Sequence, residues 1–178
     1  MDRIKLHTPL SEEDVLALHA SQQVLLSGTV YTARDMAHKR LCETLEKGGD
    51  LPFDLRGSVI YYLGPSPAAP GRVIGSAGPT TSSRMDAFAP RLFQAGVKGA
   101  IGKGYRSSEV VESLKENRAV HLAVTGGAGA LLAQKITSCE IIAYEDLQAE
   151  AVRRLNVVDL PLIVAYDAYG KSAYPDVS

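Results

Sequence analysis

Residues 78–86 read Gly-Pro-Thr-Thr-Ser-Ser-Arg-Met-Asp. The β-branched run at 72–76 comes before them and predicts a strand. Five apolar residues then recur at the spacing of one helical face: Met85, Phe88, Ala89, Leu92 and Phe93. We therefore predict a loop leading from a strand into a helix, with Pro90 kinking or restarting that helix before Gly96.

This junction has the composition of an anion-binding site. Pro79 fixes the backbone and Gly78 leaves room beside it, so unpaired N–H groups at the helix start can converge on one point. The helix dipole adds positive charge there, Thr80 and Thr81 add hydroxyl donors, and Arg84 adds a planar fork for a carboxylate or phosphate. From these residues alone, helix capping by Thr and Ser with Arg84 in solvent is an equally good interpretation.

Two further cations follow predicted strands. Residues 24–32 predict a buried strand that ends just before Arg34. Residues 97–104 predict a strand that ends in Lys103, whose glycine neighbours let a substrate approach the backbone closely. Because side chains at such junctions face whatever lies beyond the strand ends, we expect Arg34, Arg84 and Lys103 to meet one ligand.

The remaining segments alternate between strand and helix patterns, which predicts an α/β fold with a mixed sheet. Further strands are predicted at 3–6, 58–63, 120–124, 140–144 and 160–165. Helices are predicted at 11–20, 35–47 and 149–155, with one more running from a cap at Ser107 or Ser108 to Asn117. The glycine-rich segment 125–132 predicts the entry to another helix.

The composition limits the kind of protein and the kind of ligand. A chain of 178 residues with 46% hydrophobic and 22% charged residues fits one globular domain, covering residues 1–178. The formal net charge of -1 gives no general attraction to nucleic acid or to an anionic membrane, so a cationic site must be local. The sequence lacks an apolar run of transmembrane length and a secretion signal, so we expect a cytoplasmic protein.

Metal and nucleotide sites are weaker interpretations. His38 and Cys42 stand at i and i+4, but two ligands without a third do not make a zinc site. The glycines at 102–107 and 125–132 lack the spacing of a phosphate loop and of a dinucleotide fingerprint. The two cysteines, Cys42 and Cys139, are too few for a disulfide framework or a four-cysteine metal site.

Three motifs in this order resemble those of the class I fumarase and tartrate dehydratase family. They are Thr-Val-Tyr-Thr-Ala-Arg-Asp-Met-Ala-His at 29–38, the junction at 78–86 and Ile-Gly-Lys-Gly at 101–104, with 125–127 and 143–146 in keeping. The resemblance covers nearly the whole chain and indicates the beta subunit of a two-subunit enzyme, equivalent to the C-terminal domain of single-chain class I fumarases. It implies a swivelling β/β/α domain.

The resemblance implies a hydro-lyase. The favoured reaction is the reversible hydration of fumarate to S-malate, and the alternative is the dehydration of L(+)-tartrate to oxaloacetate. A dicarboxylate-binding module without chemistry is the alternative from another class of function.

The same resemblance implies a partner. In that family a [4Fe–4S] cluster is bound by an alpha subunit or an N-terminal domain, so we expect this chain to be active only in a heterotetramer with such a partner. Self-association of the isolated chain would be unsurprising, because an interface without its partner exposes apolar surface.

The resemblance also assigns roles to residues. The substrate-binding positions are matched by Arg34, Arg84, Lys103 and Gly102. Thr80 matches the threonine proposed as the base that removes the C3 proton, and Thr81 lies beside it. A threonine hydroxyl is a weak base, so that role requires nearby cations or a proton relay. The residues expected to orient the arginines are Asp35, His38 and Asp86.

Overall fold

The computed structural model describes residues 2–124 and 129–175. The strands in these ranges are β1 (Ile4–His7), β2 (Gln23–Thr32), β3 (Val59–Tyr61), β4 (Gly99–Gly102), β5 (Val120–Val124), β6 (Ile136–Ala143) and β7 (Val152–Tyr166). The α-helices are α1 (Glu12–Leu16), α2 (Asp35–Lys47), α3 (Ala89–Gln94), α4 (Ser108–Asn117) and α5 (Gly129–Ala133), and 3-10 helices cover Ser82–Met85 and Glu145–Glu150. The predicted α/β class is confirmed.

The strands form one mixed sheet that closes on itself. Strands β1 to β5 lie side by side in chain order and are parallel. The long strand β7 pairs antiparallel with β2 along one side, and with β5 and then β6 along the other. Because β7 bonds to both β2 and β5, it closes the parallel strands between them into a ring.

The alternation of side chains along the strands divides the core into two layers. Val59 and Tyr61 of β3 pack into the interior of the ring, whereas Ile60 between them packs against the helices. Helices α2, α3 and α4 cover this outer face with the buried residues Leu41, Leu92 and Leu114. None of the helices in the described ranges has the length and apolar character needed to cross a bilayer.

Several helix and strand limits follow the prediction closely. Helix α2 occupies 35–47 as expected, α4 is capped by the side chain of Ser107, and β5 occupies 120–124. The helical pattern after 78–86 is split, because Ser82–Met85 forms a 3-10 turn and α3 begins at Ala89 with Pro90 in its first turn. The predicted restart at Pro90 is therefore confirmed.

The strand predicted at 72–76 is wrong. Ile74 is buried in the ring interior and Val73 is exposed, so the alternation is real, but the backbone there pairs with a loop rather than with a strand. The N–H of Ser76 donates to Oγ of Ser66 at 2.9 Å, and the backbone at Gly75 lies against the same residue.

The helix predicted at 149–155 is also wrong, because β7 begins at Val152. Val152 and Leu155 are buried three positions apart, which resembles a helical face over so short a stretch, whereas the alternation of Leu155 and Val157 is that of a strand. Pairing of β7 with both β2 and β6 decides the outcome. Two other bounds also differ from the prediction: α1 ends at Leu16 rather than near 20, and β6 begins at Ile136 rather than at 140.

Candidate functional site

The candidate site lies where the parallel strands β2, β3 and β4 end. The N–H of Thr80 donates to the carbonyl oxygen of Tyr62, and the N–H of Ser82 donates to that of Lys103, both at 2.8 Å. Thr81 forms a parallel bridge with Lys103. Residues 80–82 therefore lie as a short extended piece between the ends of β3 and β4.

This pairing corrects the prediction of an anion site at a helix N-terminus. The N–H groups of Thr80 and Ser82 are already donated to carbonyl oxygens of the sheet. The helix that follows is a single 3-10 turn, so its dipole and its unpaired amides contribute little. Attraction for an anion at this place must come from side chains.

Asp35 brings the two predicted arginines together. Its Oδ2 accepts a hydrogen bond from Nε of Arg84 at 3.1 Å, and its Oδ1 lies 3.9 Å from Nε of Arg34. The side chains of Arg34 and Arg84 are 24% and 52% exposed, so both are partly accessible from solvent, although Nε of Arg34 is buried. Arg34, which follows β2, and Arg84, in the 3-10 turn, thus present two fork-shaped cations at one place.

Lys103 lies beside the extended segment 80–82, through its bridge with Thr81, and Lys103 is exposed. Gly102, just before it, is buried in the sheet. A Cβ atom on Gly102 would lie 2.1 Å from Oγ of Ser82 and 2.7 Å from Cδ2 of Tyr62. The room beside Gly102 is therefore occupied by this chain's own side chains, not left for a ligand as the sequence suggested.

Thr80 is half-buried and Thr81 is exposed at the mouth of this site. Within residues 2–124 and 129–175, neither hydroxyl forms a hydrogen bond with another group of the protein. No described residue thus occupies either hydroxyl. Both threonines lie next to the backbone of Lys103, and they precede Arg84 by four and three residues.

His38 lies directly beneath Arg34. Its Nδ1 donates to the carbonyl oxygen of Arg34 at 2.8 Å, and its ring meets the ring of Tyr62 edge-on with centroids 5.2 Å apart. Burial lowers the pKa of His38 from 6.5 to about 4, so the imidazole is neutral at neutral pH. His38 thus supports the backbone of Arg34 rather than its guanidinium group.

Asp86 contacts a different arginine from the two expected. Its Oδ1 accepts from Nε of Arg106 at 2.8 Å, and its Oδ2 accepts from the N–H of Ser107 at 2.9 Å. Arg106 has a fully buried side chain and carries no role in the sequence-based predictions. Its polar neighbours in the sequence are typical of a surface loop, so no local signal reveals that it is buried.

A cleft of about 600 Å³ between α3 and α4 is a poor alternative site for an anion. Its lining includes the carboxylates of Asp86, Glu109, Glu112 and Glu116, with Arg91 as the cation. A dianion would be repelled there, whereas at the strand ends Arg34 and Arg84 outnumber the one carboxylate, that of Asp35, that they share.

Comparison with known proteins identifies the family of this chain. A family model described as the fumarase C-terminus matches residues 1–177. The chain belongs to the fumarase C-terminal family. A member of similar length, the putative L(+)-tartrate dehydratase subunit beta of Methanocaldococcus jannaschii, is 37% identical over 175 residues, which cover 95% of this chain and 90% of that protein.

Longer proteins are similar to this chain over part of their length. The aerobic class I fumarate hydratase of Salmonella typhimurium is 34% identical over 179 residues, which cover 98% of this chain and 31% of that protein. Fumarate hydratase 2 of Leishmania major is 37% identical over 155 residues, covering 85% of this chain and 27% of that protein. The chain spans about a third of the length of these fumarate hydratases or less.

An iron–sulfur cluster does not fit the ligands that this chain offers. Such clusters are held mainly by cysteine thiolates, and the chain has only Cys42 and Cys139, on α2 and β6. Burial raises the pKa of both thiols, which disfavours the thiolate form. Among the residues described, no three His, Cys, Asp or Glu side chains are grouped as metal ligands.

One of the sequence stretches that resemble the family, residues 125–127, lies outside the described residues.

Proposed function

We propose that this chain is the beta subunit of a fumarate hydratase and that it binds the substrate dicarboxylate. The observation that carries the proposal is the meeting of Arg34 and Arg84 at Asp35, together with the pairing of the Thr80–Ser82 segment with Lys103. The family match and the similarity to class I fumarate hydratases support the hydro-lyase reaction. The anion site therefore lies at the strand ends and is made of side chains.

The chemistry of the cations suits this substrate. Arg84 uses Nε for Asp35, which leaves its two terminal nitrogens to form a two-pronged contact with a carboxylate. Arg34 adds a second fork and Lys103 a compact positive charge. Because negative charge builds up beside the substrate carboxylate when the C3 proton is removed, fixed cations at that carboxylate lower the barrier.

Thr80 is proposed to exchange the C3 proton, with Thr81 beside it. A threonine hydroxyl is a weak base at neutral pH, and nearby positive charge lowers the cost of its deprotonation. Thr80 precedes Arg84 by four residues, and its N–H binds the carbonyl oxygen of Tyr62 just after β3, which fixes its position in the backbone.

A [4Fe–4S] cluster is proposed to lie on an alpha subunit, since the ligand set of this chain does not provide for it. The active enzyme would be a cytoplasmic heterotetramer in which this domain swivels against its partner. Without that partner, the isolated chain is expected to lack activity and to be prone to self-association.

Anaerobic reconstitution tests the proposed function. We expect no hydratase activity from the purified chain, and turnover of fumarate and S-malate once an alpha subunit loaded with its cluster is added. Full turnover by the chain alone would contradict the need for a partner. Tight binding of fumarate by the isolated chain, with no turnover in the complex, would indicate a binding module instead.

The second candidate function is L(+)-tartrate dehydratase. It is favoured by the match along 90% of a protein named as a tartrate dehydratase subunit beta. The same reconstituted complex distinguishes the two functions, because the ratio of kcat/KM for S-malate to kcat/KM for L(+)-tartrate is above one for a fumarase and below one for a tartrate dehydratase.

Gly64 is predicted to be essential for the position of Arg34. A Cβ atom on Gly64 would lie 2.9 Å from Cδ of Arg34 and 3.1 Å from the carbonyl oxygen of Ala149, so Gly64→Ala must displace the arginine. We expect kcat/KM to fall on the order of tenfold to 100-fold. Gly49→Ala, in the loop after α2, is the matched control. Equal activity of both variants would place Arg34 outside the site.

A further inference from the structure

Arg106 is a buried charge at the junction of several elements. Its residue is 7% exposed and its guanidinium group is fully buried. A buried arginine stays protonated, and removing its charge from water is costly unless partners compensate for it. The groups that bind the buried guanidinium therefore indicate why the fold retains an arginine at this position.

Those partners come from four separate parts of the chain. The guanidinium donates to Oδ1 of Asp86 at 2.8 Å and to the hydroxyl of Tyr62 at 3.1 Å, and it lies 5.1 Å from the centroid of the Tyr62 ring. Its terminal nitrogen also lies 3.2 Å from Nδ1 of His121 on β5. The backbone N–H of Arg106 donates to the hydroxyl of Tyr166 on β7 at 3.1 Å.

The contact of Arg106 with Asp86 connects the two segments that carry the proposed substrate groups. Asp86 ends the 3-10 helix that begins just after Thr81 and contains Arg84. Arg106 follows Lys103 by three residues, and the N–H of the next residue, Ser107, donates to the other oxygen of Asp86 at 2.9 Å. One ion pair therefore joins the Arg84 segment to the Lys103 loop.

A second connection runs through His121. Because a guanidinium group can only donate, Nδ1 of His121 must accept, and the ring proton must lie on Nε2. Burial and the charge of Arg106 lower the pKa of His121 well below 6.5, so the ring is neutral. Nε2 can then donate to Oγ of Ser82, which lies 3.3 Å away and is adjacent to Thr81.

We infer that Arg106 is a positioning residue that holds segment 80–86 and the 103–107 loop in the arrangement that places Thr80, Arg84 and Lys103 around one ligand. It acts through Asp86 on one side and through His121 and Ser82 on the other. Its role in catalysis rests on the proposed function, whereas its effect on the geometry does not.

The alternative is that Arg106 only stabilises the fold, and two readouts separate these roles. Arg106→Lys keeps the charge but cannot reach three partners in a fork, and Asp86→Asn removes the ion pair while Arg106 stays in place. The control is Leu160→Ala, a buried position opposite Leu26 in the ring interior, toward the amino end of β2. This control lowers stability without touching either segment.

The first readout is the 15N–1H spectrum of the isolated, folded chain. In Arg106→Lys and Asp86→Asn, we expect the amide signals of 80–84 and 103–104 to shift or broaden while those of α2 stay in place. In Leu160→Ala, the signals of 80–84 and 103–104 stay in place. Unchanged signals in both ion-pair variants would overturn the inference. If Arg106→Lys does not fold, the amide signals of Asp86→Asn alone decide whether the inference holds.

The second readout is steady-state kinetics of the reconstituted complex. We expect Arg106→Lys to lower kcat/KM for fumarate at least tenfold, with a higher KM, whereas Leu160→Ala stays within twofold of wild type per folded molecule. Equal losses in both variants would reduce Arg106 to a stabilising residue. If the wild-type complex has no hydratase activity, the proposed function fails, and the amide spectrum still decides the role of Arg106.

Discussion

Replacing Arg84 with lysine is expected to lower kcat/KM for fumarate on the order of 100-fold in the reconstituted enzyme. Arg84 performs two tasks at once, because its Nε binds Asp35 while its terminal nitrogens stay available to the substrate. A lysine keeps the charge but has one nitrogen, so it can serve Asp35 or the substrate and not both in the same geometry. The loss should appear in kcat as well as in KM.

Arg56→Lys is the matched control for this substitution. Arg56 also pairs with a carboxylate, that of Asp54 at 3.3 Å, but it precedes β3 and so lies toward the opposite end of that strand from the site. We expect its kcat/KM to equal that of the wild type. If Arg84→Lys behaves like Arg56→Lys, then Arg84 does not contact the substrate.

The isolated chain is expected to lose stability steeply in mild acid because of two buried histidines. His38 and His121 have lowered pKa values in the folded state, chiefly through burial. Between pH 6.5 and about 4 the unfolded chain therefore binds protons that the folded chain does not, so the free energy of unfolding falls as the pH falls. For His38 the drop amounts to roughly 3 kcal/mol, and His121 adds to it in the same direction.

Urea unfolding at several pH values between 7 and 4 measures this effect. His38→Gln should be less stable than wild type at pH 7 but should show a flatter dependence on pH, because one of the two proton-linked groups is gone. His19→Gln, at an exposed histidine, is the control. An unchanged slope in His38→Gln would mean that His38 is not held neutral in the folded chain.

Strand-end positions were predictable from the sequence because hydrophobic runs locate the strands and parallel strands align their ends. Arg34 and Lys103 follow β2 and β4 as expected, and the limits of α2 and the restart at Pro90 follow from local signals. Each of these features is determined by the local sequence, within about ten to fifteen consecutive residues. The family resemblance came from the same short stretches.

The long-range pairings were not predictable in this way. The hydrogen bond from Arg84 to Asp35 spans 49 positions, and the side chain of Arg106, which pairs with Asp86, is buried although its neighbours in the sequence are polar. The backbone pairing of Thr80 and Ser82 replaced an expected helix terminus, because the carbonyl oxygens of Tyr62 and Lys103, just after β3 and β4, were there to accept. Burial and backbone pairing depend on the whole fold, so no local pattern encodes them.

The most direct test is a structure of the reconstituted complex with S-malate bound. Nitrogen atoms of Arg34, Arg84 and Lys103 should each lie at hydrogen-bond distance, about 3 Å, from oxygens of the bound diacid. Malate bound in the complex without contact to any of these three side chains would contradict the claim that this chain holds the substrate.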